Sequence, residues 1–347
     1  MTKEELMAAI KRDDTIEKED LSGLDLSGCD LSGARFEKCI FHGTVFTNAN
    51  IRRTGFKGCD FKGARIEGVD LTKVTWMRID LRGAILRNSF LHKAVLSGAD
   101  LTGADLSGAD FTQAVMNNAK LDNANMTGAK LLRAMLSESS ITGANLTGAD
   151  LSRAIFYKAD LTGSVLKGAI IFKTYLRDCS LTNQDFRGVS FTMSQAGGAD
   201  FKGSDFTGAD ITQTNFMNAD MSKVRFDGAK ARRTIFMDAL LQSASLRNVD
   251  LFQSCFEGCD LTGADLSGAN LEQSLFQRAT CSGTKFIGVN LHYADFSHSD
   301  LTAADFSSAR LYRAKLHRVI DDRTVWKNAD RETALGTDPD LAEAEDM

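Results

Sequence analysis

Nine aspartates, Asp20, Asp60, Asp80, Asp100, Asp160, Asp200, Asp220, Asp260 and Asp300, lie at multiples of twenty residues from one another. Carboxylates that converge in space can hold a divalent cation or act as a general acid and base. Spread along one surface, they present a column of negative charge instead. Thr102, Thr142, Thr162, Thr182, Thr262 and Thr302 keep the same period, but charged residues alternate with them and spoil a flat hydroxyl ladder. The five histidines, His42, His92, His292, His298 and His317, form no paired ligand spacing, so no metal site is read. Five of the seven cysteines (Cys29, Cys39, Cys59, Cys179, Cys259) take a position held elsewhere by Ala, Ser, Thr or Val, and read as small core residues rather than a disulfide framework. With no Ser/His/Asp arrangement and no phosphate-cradling glycine loop, the expectation is a protein that is not an enzyme and uses no cofactor.

The element that positions these residues is a strict five-residue period. From Leu21 to Leu316 every fifth residue is large and apolar, sixty units in succession, with Ala196, Ala231 and Cys281 as the departures. Taking the apolar centre as i, position i-2 is almost always small and i-1 is often Asp or Asn, as in Ala99-Asp100-Leu101-Thr102-Gly103. Side chains alternate along an extended segment, so i-2 and i point inward while i-1, i+1 and i+2 face out. Alternation cannot continue through five residues, so a corner follows each short strand. Glycine at i+2 supplies the positive φ of a type II turn.

An unbroken repeat argues for one elongated domain despite a length of 347 residues. Formal charge is -5; the first twenty residues carry four Lys/Arg against seven Asp/Glu and residues 317–347 carry four against nine, which leaves the repeat body at +3. That balance argues against a nucleic-acid partner. No stretch has the continuous apolar length of a membrane span, so a cytoplasmic, non-membrane protein is expected.

Ala-Asp-Leu-Thr-Gly at 99–103 and Ala-Asn-Leu-Thr-Gly at 144–148 resemble the A(D/N)LXX unit of the pentapeptide repeat family, and the resemblance covers about residues 19–318. It implies an all-β fold, a right-handed quadrilateral β-helix (a β-solenoid) of about fifteen coils with four units per coil. Family members that protect DNA gyrase often carry loop insertions, and this chain has none.

Sorted by position modulo twenty, the units form faces A (centres 21, 41, 61 and so on), B (26, 46), C (31, 51) and D (36, 56). Glycines at i+2 number ten on A, eleven on B, one on C and four on D. Gly-type turns are therefore expected at two corners and negative-φ turns at the Gly-poor ones. Residues 1–18 are expected to form a short capping helix, with Thr2 and Glu5 at capping-box spacing. Residues 319–347 should supply a C-terminal cap through Val319, Ile320, Val325 and Trp326, then an acidic, disordered tail from Thr337.

Two outward features distinguish one side. Face D carries Val95, Val115, Met135, Ile155 and Tyr175 at i-1 on five successive coils, then Ile235, Cys255 and Leu275, with Tyr157 beside them at i+1. An apolar strip of this length suggests a contact surface. The adjoining corner between C and D carries Arg53, Lys73, Lys93, Arg133, Arg153, Lys173, Arg233 and Arg313 at i+2. Together they indicate a non-catalytic interaction scaffold whose partner is another protein or a second copy of itself. Two alternatives remain. Asp160, Asp200 and Asp220 on face A would serve a DNA-mimicking modulator of gyrase or topoisomerase. The helix leading into Leu21–Gly28 is similar to arrays attached to bacterial type VI secretion components, which would make the protein an adaptor or effector.

Overall fold

A computed structural model describes residues 1–347, which divide into two compact units, Met1–Ile170 and Ile171–Met347. Three strands pair in parallel near the start: β1 (Thr15–Glu17), β2 (Arg35–Glu37) and β3 (Gly55–Lys57). Beyond them each unit is built of single-residue parallel bridges, and every bridge joins residues twenty apart. In the first unit the face A column runs Asp20, Ile40, Asp60, Asp80, Asp100, Lys120, Ser140, Asp160; in the second it runs from Ser180 to Ile320. Four such columns make a four-sided coil of twenty residues within each unit. No helix interrupts residues 12–330.

Side-chain direction follows the alternation. Ala99 and Leu101 are fully buried, whereas Asp100 and Thr102 between and after them are partly exposed. In the second unit the face D centres Phe216, Phe236, Phe256, Phe276 and Phe296 stack with ring centroids 4.5–5.6 Å apart, near the spacing of adjacent strands. Hydroxyls at i-2 bond to the backbone inside the coil, as Thr44 Oγ1 does to the Leu21 carbonyl (2.8 Å) and Ser254 Oγ to that of Ala231 (2.7 Å). These bonds remove the cost of a buried polar group.

The corners correct one expectation. The i+2 residue has positive φ at Gly-poor corners as well as Gly-rich ones: 61° at Arg53, 60° at Lys73, 60° at Gln113 and 65° at Gly103. The turn from Leu71 to Val74 is closed by Val74 N–H on the Leu71 carbonyl (3.1 Å), as Leu101–Ala104 is closed at 3.0 Å. In both, the i+2 N–H also donates to the next coil, Lys73 to the His92 carbonyl and Gly103 to that of Asp122. The same turn persists at Arg53, whose N–H makes no such bond, so stacking of like coils holds the corner whatever the side chain, and a non-glycine residue accepts the left-handed strain of about 1–2 kcal/mol.

The ends extend past the expected limits of 19–318. Ile16 is a buried centre on β1, and Ile320, Val325 and Leu335 add bridges beyond 318. Helix α1 (Lys3–Lys11) has the full Thr2–Glu5 capping box, buries Leu6 and Ala9, and contacts β1. Trp326 stacks on Phe306 at 4.6 Å, while Ile320 (60 % exposed) and Val325 stay in solvent. The expected disordered tail contains α2 (Pro339–Glu345) instead. Asp338 caps it, accepting from Asp340 and Leu341 N–H, and proline at the first position suits a helix start.

Candidate partner-binding face

In the first unit Val95, Val115, Met135 and Ile155 occupy one uninterrupted bridge column that continues from Thr75. Met135 is 37 % exposed and the other three are half-buried, each shielded by the residue stacked on it. In the second unit the column reads Tyr175, Gln195, Asn215, Ile235, Cys255, Leu275, Asp295, Lys315, Leu335, so its apolar run is confined to Ile235, Cys255 and Leu275. Tyr175, Tyr157, Ile235 and Cys255 are half-buried and Leu275 is 40 % exposed. Apolar exposure is not confined to face D: Phe90 and Ile170 on C and Val165 on B are each about half exposed.

None of Arg53, Lys73, Lys93, Arg133, Arg153, Lys173, Arg233 and Arg313 forms an ion pair. Arg233 donates to Gln253 Oε1 (2.9 Å), and Lys173 lies over the Phe172 ring at 5.1 Å. By contrast, arginines at i+1 are neutralised from a neighbouring coil or their own: Arg52 by Asp70, Arg87 by Asp105, Arg187 by Asp185, Arg232 by Asp250 and Arg247 by Asp227. The i+2 side chain leaves a corner, away from the carboxylates at i-1 on the flat faces.

Those carboxylates have a local task. Asp160 Oδ1 accepts from Thr162 N–H (2.9 Å), Asp200 from Lys202 N–H (3.0 Å), and Asp220 from the N–H and hydroxyl of Ser222 (2.9 and 2.6 Å). Each aspartate thus closes an Asx turn at the start of the corner. Hydrogen bonds of this kind stabilise the ionised form. The Ser22 hydroxyl holds Asp20 below the usual carboxylate range, as Ser27 does Asp25 and the Arg82 guanidinium does Asp80. The regular face A column is explained by turn closure.

One cluster was not legible from local spacing. His298 Nε2 and His317 Nε2 each lie 3.1 Å from Glu345 of α2, and the two rings pack edge to face at 5.3 Å. Arg318 adds a 3.3 Å contact to the same carboxylate. Two histidines and a glutamate at this range have the donor set of a metal site. Asp338 N–H, however, donates to His317 Nδ1 (3.1 Å). A neutral imidazole with Nδ1 accepting carries its proton on Nε2, which therefore donates to Glu345 and is closed to a metal. The cluster clamps α2. The signal that finds it is the twenty-residue period, which brings 298 and 317 to neighbouring coils at one corner.

The sequence pattern described as Pentapeptide repeats (8 copies) matches successive stretches from 20–56 to 281–318. No curated protein matches the chain. Among solved structures it is similar to HetL, a pentapeptide repeat protein involved in heterocyst differentiation regulation in the cyanobacterium Nostoc sp. (25 % identity over 72 % of this chain and 89 % of that one, TM-score 0.20). It is also similar to full-length QnrB1, a plasmid-mediated fluoroquinolone resistance protein (20 %, 62 % and 92 %, TM-score 0.22). A third is a pentapeptide repeat protein of the Arabidopsis thaliana thylakoid lumen (31 %, 39 % and 67 %, TM-score 0.15). The chain belongs to the pentapeptide repeat family, whose members fold as right-handed quadrilateral β-helices.

Proposed function

We propose that the protein is a non-catalytic scaffold that docks another protein, or a second copy of itself, along face D and the adjoining basic edge. The observation that carries this reading is the contrast in charge pairing: the arginines at i+1 have carboxylate partners, whereas the five arginines and three lysines at the C/D corner have none. Unpaired cations beside an apolar ladder suit a partner that brings carboxylates to the rim and apolar side chains to the strip. Within the first unit, Val95, Val115, Met135 and Ile155 supply the strip, with Lys93, Arg133 and Arg153 as its edge. A reducing compartment, the cytoplasm, suits the free thiols of Cys29, Cys39, Cys59, Cys255, Cys259 and Cys281.

The alternative, a DNA-mimicking gyrase or topoisomerase modulator acting through Asp160, Asp200 and Asp220, needs only their negative charge, which their turn-closing hydrogen bonds leave in place. The test is affinity capture with the intact protein against a variant carrying Val115→Thr, Met135→Gln and Ile155→Thr. Loss of captured partners with an unchanged melting temperature supports face D, and capture of the same partners in equal amount contradicts it.

A further inference from the structure

The bridge ladder of the first unit opens at one place. Columns A and B are continuous there, with Asp60↔Asp80 and Val45↔Arg65 bridged, but Asn50↔Asp70 and Gly55↔Thr75 are not. The N–H groups of Ile51, Arg53, Gly58, Asp70 and Thr75, which by the period should cross to the neighbouring coil, find no carbonyl. A cleft occupies the gap. Its largest part, about 680 Å3, lies between Ile51–Phe56 and Asp70–Thr75, and it continues as about 350 Å3 between Phe56–Cys59 and Thr75–Ile79.

Trp76 explains the opening. It takes a face D centre that holds Leu, Met or Phe on most coils, and its indole is wider than the space one coil allows. Phe36 and Phe56 stack at 5°, but Phe56 stands edge-on to Trp76 at 83° while the indole leans onto Phe61. Phe56 and Val74, inward by the period, are left half-buried on the cleft floor. Trp76 is 2 % exposed, yet its Nε1–H has no partner. Arg53, Lys73 and Arg78 surround the cleft and form no ion pair, while Arg52 and Asp70 are spent on each other (2.9 Å).

We propose that this cleft binds an extended acidic peptide segment. Alternating donors and acceptors at strand spacing complement a polypeptide backbone, whereas a nucleic-acid backbone offers acceptors alone. The half-buried Phe56 and Val74 take apolar side chains pointing in, and Arg53, Lys73 and Arg78 take carboxylates pointing out. The site does not depend on the Val95–Ile155 strip.

Fluorescence anisotropy tests it with labelled eight-residue acetylated peptides. The first alternates Glu and Val, the second Lys and Val, and the third is the acidic peptide N-methylated at every other backbone amide. The acidic peptide should bind, with the other two at least tenfold weaker. Trp76→Leu restores the usual centre residue and should let the ladder close, keep the circular dichroism spectrum and lower binding at least tenfold. The Val115→Thr, Met135→Gln, Ile155→Thr variant should bind the acidic peptide as the parent does, which separates failure here from failure of the face D reading. On the intact protein, the acidic peptide should slow hydrogen exchange at Ile51, Arg53 and Gly58. Equal binding of the N-methylated peptide, unchanged affinity in Trp76→Leu, unaltered exchange, equal binding of an oligothymidine, or no acidic-peptide binding at millimolar concentration each overturns the proposal.

Discussion

Phe191 and Phe201 meet edge to face, centroids 6.0 Å apart, on either side of Ala196, the small residue at a face D centre. Phe216, one coil further on, stacks on Phe191 and meets Phe201 edge to face. The volume that a leucine would fill is taken by rings, and Met193, 41 % exposed, contributes nothing. Ala196→Leu should therefore overpack the coil and cost ~1–3 kcal/mol, measured by chemical denaturation. A gain in stability would mean that the rings leave an unfilled void.

The turn geometry gives a pair of opposite expectations. Glu138 has φ 57° at its i+2 position, and Glu138→Gly should stabilise by about 0.5–1 kcal/mol through relief of left-handed strain. Gly103, at φ 65° with open space where a Cβ would lie, should lose about 1 kcal/mol as Gly103→Ala. Identical melting curves for all three proteins would contradict the strain account.

Carboxylates in the Asx turns make stability depend on acid. Asp20, Asp25 and Asp30, held low by Ser22, Ser27 and Ser32, and Asp80, held low by Arg82, have folded values below their unfolded ones. Their contribution is complete above the ordinary carboxylate value near pH ~4 and is lost as pH falls through the depressed folded values. Glu345, held low first by His317, follows the same sign, so α2 should detach in acid. The melting temperature should be flat from about pH 7 to 5 and fall below about 4. A rise in stability on acidification would reverse the assignment.

Much of the fold was legible in the sequence because one period encodes it: Ala99 and Leu101 are inward and Asp100 outward, as alternation requires. The φ sign at Lys73 and Gln113 was not, because the stacking of like coils fixes the corner against the preference of the side chain. The pairing of His298 with His317 escaped a search for local ligand spacing, since their contact arises only from stacking of coils. Trp76 was visible as a large apolar centre. That its width opens the ladder depends on the ring packing of Phe56 and Phe61, which no period records. The candidate face was legible as a row of residue types, while the absence of ion pairs at Lys93, Arg133 and Arg153 required coordinates.

The most direct measurement compares partner affinity and thermal stability of the parent with those of the Val115→Thr, Met135→Gln, Ile155→Thr variant, using sedimentation for self-association and a captured, purified partner for hetero-association. Outward i-1 side chains do not hold the core, so the melting temperature should stay within a few degrees, about the shift of 1 kcal/mol. Affinity should fall at least tenfold. A variant that remains folded and binds every partner as tightly as the parent would contradict face D as the docking surface.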